Sequence, residues 1–449
     1  MKTPICDFVE KYAQNDNLRL HMPGHKGVGT HGERFDITEI SGADSLYEAS
    51  GIIAESEGLA SELFGARTFY STEGSSQVIR AMMYLVMLYA KEKGEKPLVF
   101  AGRNAHKTFV SAAALLDFDV KWLTSQDGSY LSCKLTVDEV REYLENSGAT
   151  PTALYLTSPD YLGNTVDIGK IADLCHSRGV LLIIDNAHGA YLHFLPMSRH
   201  PIALGADMCC DSAHKTLPAL TGASYLHISE SLPNAFADRA KSALSLFGST
   251  SPSYLILASM DRTNAYLANG YREKLSGFCL KISELKRELE GLGYTFIGDE
   301  PIKLTISAKK YGYTGYEMAS HLERAGIFPE FADPDYLVLM LTPENEENAL
   351  GRLKAALLSL PEKEAILTNP PPFSLPRVIA SPRDAILSPS ETIPVEAALG
   401  RVLASVTVGC PPAVPVVVSG EEIEEVAIEC FKYYGITTCS VIKNEKSLF

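Results

Sequence analysis

VLLIIDNAHGAYLHFLPMSRHPIALGADMCCDSAHKTLPALTG, residues 180–222, holds two apolar runs that each end in polar groups. VLLIIDN (180–186) and ADMCCDS (206–212) read as buried strands, because short apolar runs bounded by turn residues suit a strand covered on both faces. The same alternation continues upstream. PLVFAG (97–102), VKWL (120–123) and ALYLTS (153–158) read as strands, and helical patterns lie near 52–64, 76–93, 106–116, 136–146 and 167–178. The predicted fold is α/β, a mostly parallel sheet with helices on both faces.

Downstream, a long helical pattern covers 261–292. FIGDEPIKLTIS, a helix near 315–325 and YLVLMLTP suggest a smaller α/β unit, and NPPPFSLP (369–376) is a linker or loop by composition. The last segment carries helices near 394–399 and 421–433 and the apolar run VPVVV (414–418). The expected organisation is an arm over 1–45, a large domain over 46–270, a small α/β domain over 271–368 and a C-terminal domain over 369–449. The first 40 residues, polar and turn-rich, read as arm or loop rather than core.

The chain has 449 residues, enough for two or three domains of about 100–200 residues. It carries 40 Lys and Arg against 55 Asp and Glu, a formal charge of −15. Such a surface repels phosphate backbones and anionic lipid, so neither nucleic acid nor membrane is an expected partner. A cationic substrate is mildly favoured. The nine cysteines show no CxxC spacing, which fits a reduced, cytoplasmic compartment better than a disulfide scaffold or a zinc ribbon. The start, MKTPICDFVEKYAQ, has charges where a signal peptide needs an apolar stretch. AMMYLVMLYA (81–90) is half the length of a membrane span.

In open α/β sheets, ligands gather at the carboxyl ends of the strands. Ser158, Asp160, Asp185, His188, Ser212, His214 and Lys215 all fall there. Lys215, just after an apolar strand, is placed to be desolvated and to form a Schiff base; the alternative is a solvated loop lysine. Asp185 ends five apolar residues, a costly place for an unpaired carboxylate. A pyridinium nitrogen would pair with it, with His188 at the phenolic oxygen of the same ring; otherwise Asp185 holds a loop or caps a helix. STEGSSQ (71–77) opens a helix, and Gly74, Ser75 and Ser76 can offer amides, hydroxyls and a helix dipole to a phosphate, or simply cap the helix. His106, after PLVFAG, can stack on a flat ring or be an ordinary polar residue. His21 and His25 in HMPGHKG are four apart, but Pro23 and Gly24 argue against a helix there and so against a helical metal site; the segment reads as a loop over an active site, or else as a solvent loop. No metal is expected.

Each signal is weak alone. Their order along one sheet is an anion turn, a ring-packing histidine, a carboxylate with a partner at +3, then a lysine. That set meets the needs of pyridoxal 5'-phosphate.

The chain also resembles the fold-type-I, pyridoxal-phosphate-dependent ornithine/lysine/arginine decarboxylases, in the shorter form typical of Gram-positive bacteria. The resemblance rests on HMPGHKG (21–27), FGARTFYSTEGSSQ (64–77), GRNAHKT (102–108), SPDYLGNTVDI (158–168), DNAHGAYLHF (185–194), GADMCCDSAHKTLPALTG (205–222) and STSPSYLILASMD (249–261). It is strong over 20–265 and looser beyond. It implies Lys215 as the Schiff-base lysine, Asp185 at the ring nitrogen, His106 on the ring face and Gly74, Ser75 and Ser76 at the phosphate. It implies Ser212 and His214 beside the phosphate and the lysine, with Lys215 or His214 returning the proton. It implies that Ser249 and Thr250 are presented near a neighbouring subunit's cofactor in a homodimer or larger assembly.

The implied activity is decarboxylation of a basic amino acid, arginine first and then lysine or ornithine, feeding polyamine synthesis. Glu330 and Asp333 in FPEFADPD are candidates for the far end of such a substrate, or surface turn residues. Three places depart from the family pattern: Asn186 stands where DEAHGA is usual, GADSLYEASG (42–51) lacks the usual His/Pro pattern, and CPPAVP (410–415) replaces YPPGIP. Other pyridoxal-phosphate reactions, such as transamination or a lyase reaction, and a cofactor-binding regulatory protein with little catalysis, are the alternatives.

Overall fold

The structure is a computed structural model describing residues 1–126, 129–410 and 414–443. Its large sheet has seven strands: β1 (Arg67–Ser71), β2 (Leu98–Gly102), β3 (Asp119–Leu123), β4 (Ala153–Thr157), β5 (Leu181–Asp185), β6 (Met208–Asp211) and β7 (Ser224–Ile228). The chain divides into two compact units, Met1–Glu95 with Ile168–Ser276, and Lys96–Asp167 with Gly277–Phe449.

In the first unit the strand order is β1-β7-β6-β5. β5 and β6 are parallel, with Asp185 opposite Cys210, while β7 is antiparallel to both β6 and β1. Every residue of β5, β6 and β7 is buried, as the apolar runs of the first two require. The helix Ser75–Glu92 buries Val78, Ile79, Met82, Met83, Leu85 and Val86. Each such side chain contributes roughly 1.5–3 kcal/mol on burial. AMMYLVMLYA lies within this helix, and among the described residues no helix is long and apolar enough to cross a membrane.

Two expectations change in this unit. Residues 4–14 form a helix (Pro4–Gln14) rather than arm or loop. Its buried face is only Pro4, Ile5, Cys6 and Val9, spaced among charges. A distant carboxylate completes it: Asp261 Oδ2 accepts the amides of Ile5 and Cys6, each at 3.0 Å, and so supplies the first turn's missing acceptors. The helical pattern of 261–292 belongs to two helices, Tyr254–Leu267 and Tyr271–Glu290. Gly270 separates them with φ +76°, while the apolar period runs on across the break.

In the second unit β2 lies between β4 and β3, all parallel. A four-stranded antiparallel sheet holds Phe331–Ala332, Tyr336–Met340, Lys303–Ser307 and Phe296–Ile297 in that order. Two small antiparallel pairs follow, Ser390–Pro394 with Thr438–Ile442 and Thr407–Cys410 with Val414–Val418. Val417, Ile423, Phe431 and Val441 pack in one buried cluster with Tyr130, Leu162 and Phe331. The helix expected near 394–399 is a single 3₁₀ turn, Val395–Ala397, and the helix expected from 421 starts at Glu425. Residues 411–413 of CPPAVP lie outside the described residues.

Candidate active site

β5 and β6 end side by side, so the DNAHGA and DSAHKT segments leave the sheet together. Lys215 follows β6 in a one-turn helix, Ala213–Thr216, with its amide donating to Ser212 O at 3.0 Å. Its Nζ lies 3.0 Å from His188 Nε2. For the ammonium to donate, Nε2 must carry the lone pair and Nδ1 the proton. Asp185 is 2% exposed, and its Oδ1 accepts the Ala187 amide at 3.2 Å and the Cys210 thiol at 3.4 Å. The carboxylate therefore steadies the turn after β5, and the same bonds fix its orientation.

His214 Nδ1 and the Ala223 carbonyl are 2.9 Å apart, which requires the proton on Nδ1. The next residue back, Gly222, accepts the amide of Gly74 at 2.8 Å. The turn carrying Lys215 is thus joined to the turn that opens the helix Ser75–Glu92. Gln77 locks that second turn: its Oε1 accepts Ser71 Oγ at 2.5 Å, and its Nε2 donates to Tyr47 Oη and Leu244 O, both at 2.8 Å. Gly74 has φ +71°, and a Cβ there would meet open space. Gly222 is different, because a Cβ would sit 2.8 Å from Thr72 O.

Ser249 and Thr250 are exposed. The Ser249 amide lies 3.4 Å from Glu73 Oε1, which keeps this loop beside the Gly74 turn. His106 belongs to the second unit. It is the N-cap of the helix Lys107–Leu116, its Nδ1 accepting the Thr108 amide at 3.2 Å and facing Thr108 Oγ1 at 2.9 Å.

Four further expectations meet the structure here. His21 Nε2 faces Tyr12 Oη at 2.7 Å, while His25 Nε2 faces Asp36 at 3.2 Å, so the two imidazoles serve different partners. Asp333 accepts the amides of Asp335 and Tyr336 at 2.7 and 2.6 Å, so it holds a turn, but it is fully buried and not the surface turn residue that the sequence offered as the alternative. Burial pushes its carboxyl up to about 6. Glu330 accepts Tyr161 Oη at 3.0 Å.

The residues around Lys215 suit a phosphorylated pyridine aldehyde on their own chemistry. Ser212 Oγ and Thr216 Oγ1 are buried hydroxyls with no hydrogen-bond partner among the described residues. Buried polar groups are rarely left so, and a bound acceptor would satisfy them. Gly74 opens a helix N-terminus, which favours an anion, and the buried Asp185 carboxylate would suit a protonated ring nitrogen.

Sequence reasoning missed the support beneath the site. Asp211, at the end of β6, accepts Asn186 Nδ2 at 2.6 Å on Oδ1 and faces His200 Nε2 at 3.1 Å and His227 Nε2 at 3.3 Å on Oδ2. Burial alone would raise this carboxyl, but the two imidazoles outweigh it and hold it well below the usual carboxylate range. Asn186 is thereby explained: its amide donates to Asp211, which an ionised Glu cannot do. Cys210 was visible only as an apolar strand residue, and nothing local announces its bond to Asp185.

The model for "Orn/Lys/Arg decarboxylase, major domain" matches residues 3–297. The chain is 32% identical to the arginine decarboxylase of Halalkalibacterium halodurans over 463 positions, covering 94% of this chain and 91% of that one. It is 31% identical to the arginine decarboxylase of Bacillus subtilis, covering 94% and 92%. Among solved structures, the Francisella novicida lysine decarboxylase superposes with TM-score 0.78 at 18% identity, over 98% of this chain and 81% of that one. The constitutive lysine decarboxylase of E. coli gives 0.76 at 19%, over 98% and 82%. At those identities the likeness is one of fold, the fold-type-I architecture of pyridoxal-phosphate enzymes. With a family match over more than half its length and relatives above 30% identity along nearly all of it, this chain belongs to the Orn/Lys/Arg decarboxylase family.

Proposed function

We propose that this protein binds pyridoxal 5'-phosphate and decarboxylates a basic amino acid, arginine first, with lysine and ornithine as the next candidates. The observation that carries the reading is Lys215 Nζ held 3.0 Å from His188 Nε2 in a chain of this family. Arginine comes first because the full-length relatives cited are named arginine decarboxylases. The formal charge of −15 also favours a cationic substrate over an anionic one.

Lys215 would hold the cofactor through its amine, with Gly74, Ser75, Ser76 and Ser212 at the phosphate and Asp185 at the ring nitrogen. When bound, the cofactor supplies an electron-withdrawing ring that accepts the electrons left as carbon dioxide departs. Asp185, itself only 2% exposed, would favour a proton on the ring nitrogen. His188 would take or return a proton at Lys215 Nζ, 3.0 Å from its Nε2. Lys215 or His214 would supply the proton that replaces the lost carboxylate, and His106 would be the residue to pack against the cofactor. Ser249 and Thr250, exposed beside the Gly74 turn, suit a site completed at a homodimer interface. A reduced cytoplasmic setting suits its free thiols.

The test is carbon dioxide release by the cofactor-loaded protein given arginine, lysine and ornithine in parallel. Release from one of them supports the reading and names the substrate. A yellow, cofactor-loaded protein that releases none from any of the three overturns it.

A further inference from the structure

Arg103 opens the turn that ends at His106, and its charge is buried. The guanidinium is 2% exposed and its partner Glu421 is 1% exposed. The pair is bidentate, with Nη1 to Oε1 at 2.9 Å and Nη2 to Oε2 at 2.7 Å. Nη2 also donates to Val416 O at 3.1 Å, and Glu421 Oε2 accepts the Val418 amide at 2.8 Å. The guanidinium lies over Trp122, 5.0 Å from the ring centroid. The Arg103 amide donates to Leu123 O at 2.9 Å, and Ala105 N closes on Gly102 O at 3.0 Å. The turn from β2 to the helix Lys107–Leu116 is therefore anchored at Arg103, three residues before His106. The far end of that helix is held as well: Arg383 Nη1 donates to Ala114 O at 3.3 Å and Leu115 O at 3.2 Å.

A buried ion pair seldom stabilises a fold more than apolar residues of the same size would, because both charges must leave water. What it does supply is a fixed geometry, and here that geometry is given to the turn ending in His106. We propose that Arg103 and Glu421 are positioning residues, through which the segment 414–421 sets the orientation of His106. The inference rests on the reading of His106 as the group that packs against the cofactor ring.

The test is a double variant, Arg103→Met with Glu421→Met, which leaves no charge buried alone. Four properties are measured: the unfolding midpoint, amide exchange over 103–108 in the cofactor-free chain, affinity for pyridoxal phosphate, and kcat and KM separately. The expected result is a folded protein with a somewhat lower midpoint, because Val416 O and the Val418 amide lose their side-chain partners, together with faster exchange over 103–108, weaker cofactor affinity, and kcat lower by about tenfold to a hundredfold with KM little changed. Wild-type exchange, or a wild-type kcat despite faster exchange, overturns the proposal. Should the double variant fail to fold, Arg103→Lys keeps the charge and loses the fork. A fall in its kcat at an unchanged midpoint supports the proposal, and an unchanged kcat overturns it. A wild-type protein without decarboxylase activity defeats the functional reading instead. The positioning role is then judged by exchange and cofactor affinity, and overturned if either matches wild type in the double variant.

Discussion

Lys215 Nζ and His188 Nε2 lie 3.0 Å apart, although 27 positions separate the two residues in the chain. The parallel register of β5 and β6 makes this so. Asp185 sits opposite Cys210, so the third residue past β5 and the fourth past β6 emerge over the same edge. A lysine there has an imidazole beside it.

Lys215→Ala removes the amine that would hold the cofactor. The expected outcome is loss of the yellow absorbance of the lysine-bound cofactor and a fall in turnover of at least about a hundredfold. Absorbance spectra and carbon dioxide release measure both. A variant that stays yellow and active rules out Lys215.

Asp185→Asn keeps an oxygen for the Ala187 amide and the Cys210 thiol but removes the charge. Cofactor binding is expected to survive while kcat falls by about 10²–10⁴, the usual worth of a correctly placed proton. Equal kcat in the variant would leave Asp185 with its turn-holding role alone.

The strands that bear the site were legible because LLIID and MCCD are apolar to their last residue and then stop at a carboxylate. β1 and β7 were not. They carry Thr68 and His227 inside the strand, paired to each other at 2.9 Å, and polar residues in a buried strand erase the apolar run that marks one. The helix Pro4–Gln14 was missed because its buried face is small and its N-terminal acceptor is Asp261, more than 250 positions away. Arg103 and Glu421 are 318 positions apart, and neither has a local pattern that names the other. Local periodicity reports which faces are covered, whereas charge pairing across the fold leaves no periodic trace.

Gly222→Ala tests the joint between the two turns. The residue has φ +101°, and the added Cβ would meet Thr72 O at 2.8 Å, a backbone atom with no freedom to withdraw. The strain is about 1–3 kcal/mol, the usual cost of holding a side chain in that region. Expected are a lower unfolding midpoint and weaker cofactor affinity together, since Gly222 O holds the Gly74 amide. Calorimetry and cofactor titration measure the two; a fall in the midpoint with unchanged affinity would show that the joint does not shape the anion turn.

Acid should destabilise the first unit in two stages. Burial pushes the His193 imidazole down from its ordinary 6.5 to about 3, and burial also lowers His227. Between pH 6.5 and about 3 the unfolded chain binds a proton at His193 that the folded chain does not. Unfolding then takes up protons, so stability is lost as pH falls through that range. Asp211 acts lower. Its carboxyl is held beneath its ordinary 3.8 despite burial, so its contribution is present above that value and is lost as pH falls below it. The His193 ring lies against Phe64 and Phe194, with centroids 5.3 and 5.0 Å away, so a phenyl ring suits the site. His193→Phe should lessen the fall of the unfolding midpoint between pH 6.5 and about 3, leave the share that His227 contributes, and keep the loss at lower pH in place. Thermal unfolding across that pH series measures it. A variant that declines in parallel with wild type through the upper range would move the proton uptake to a different group.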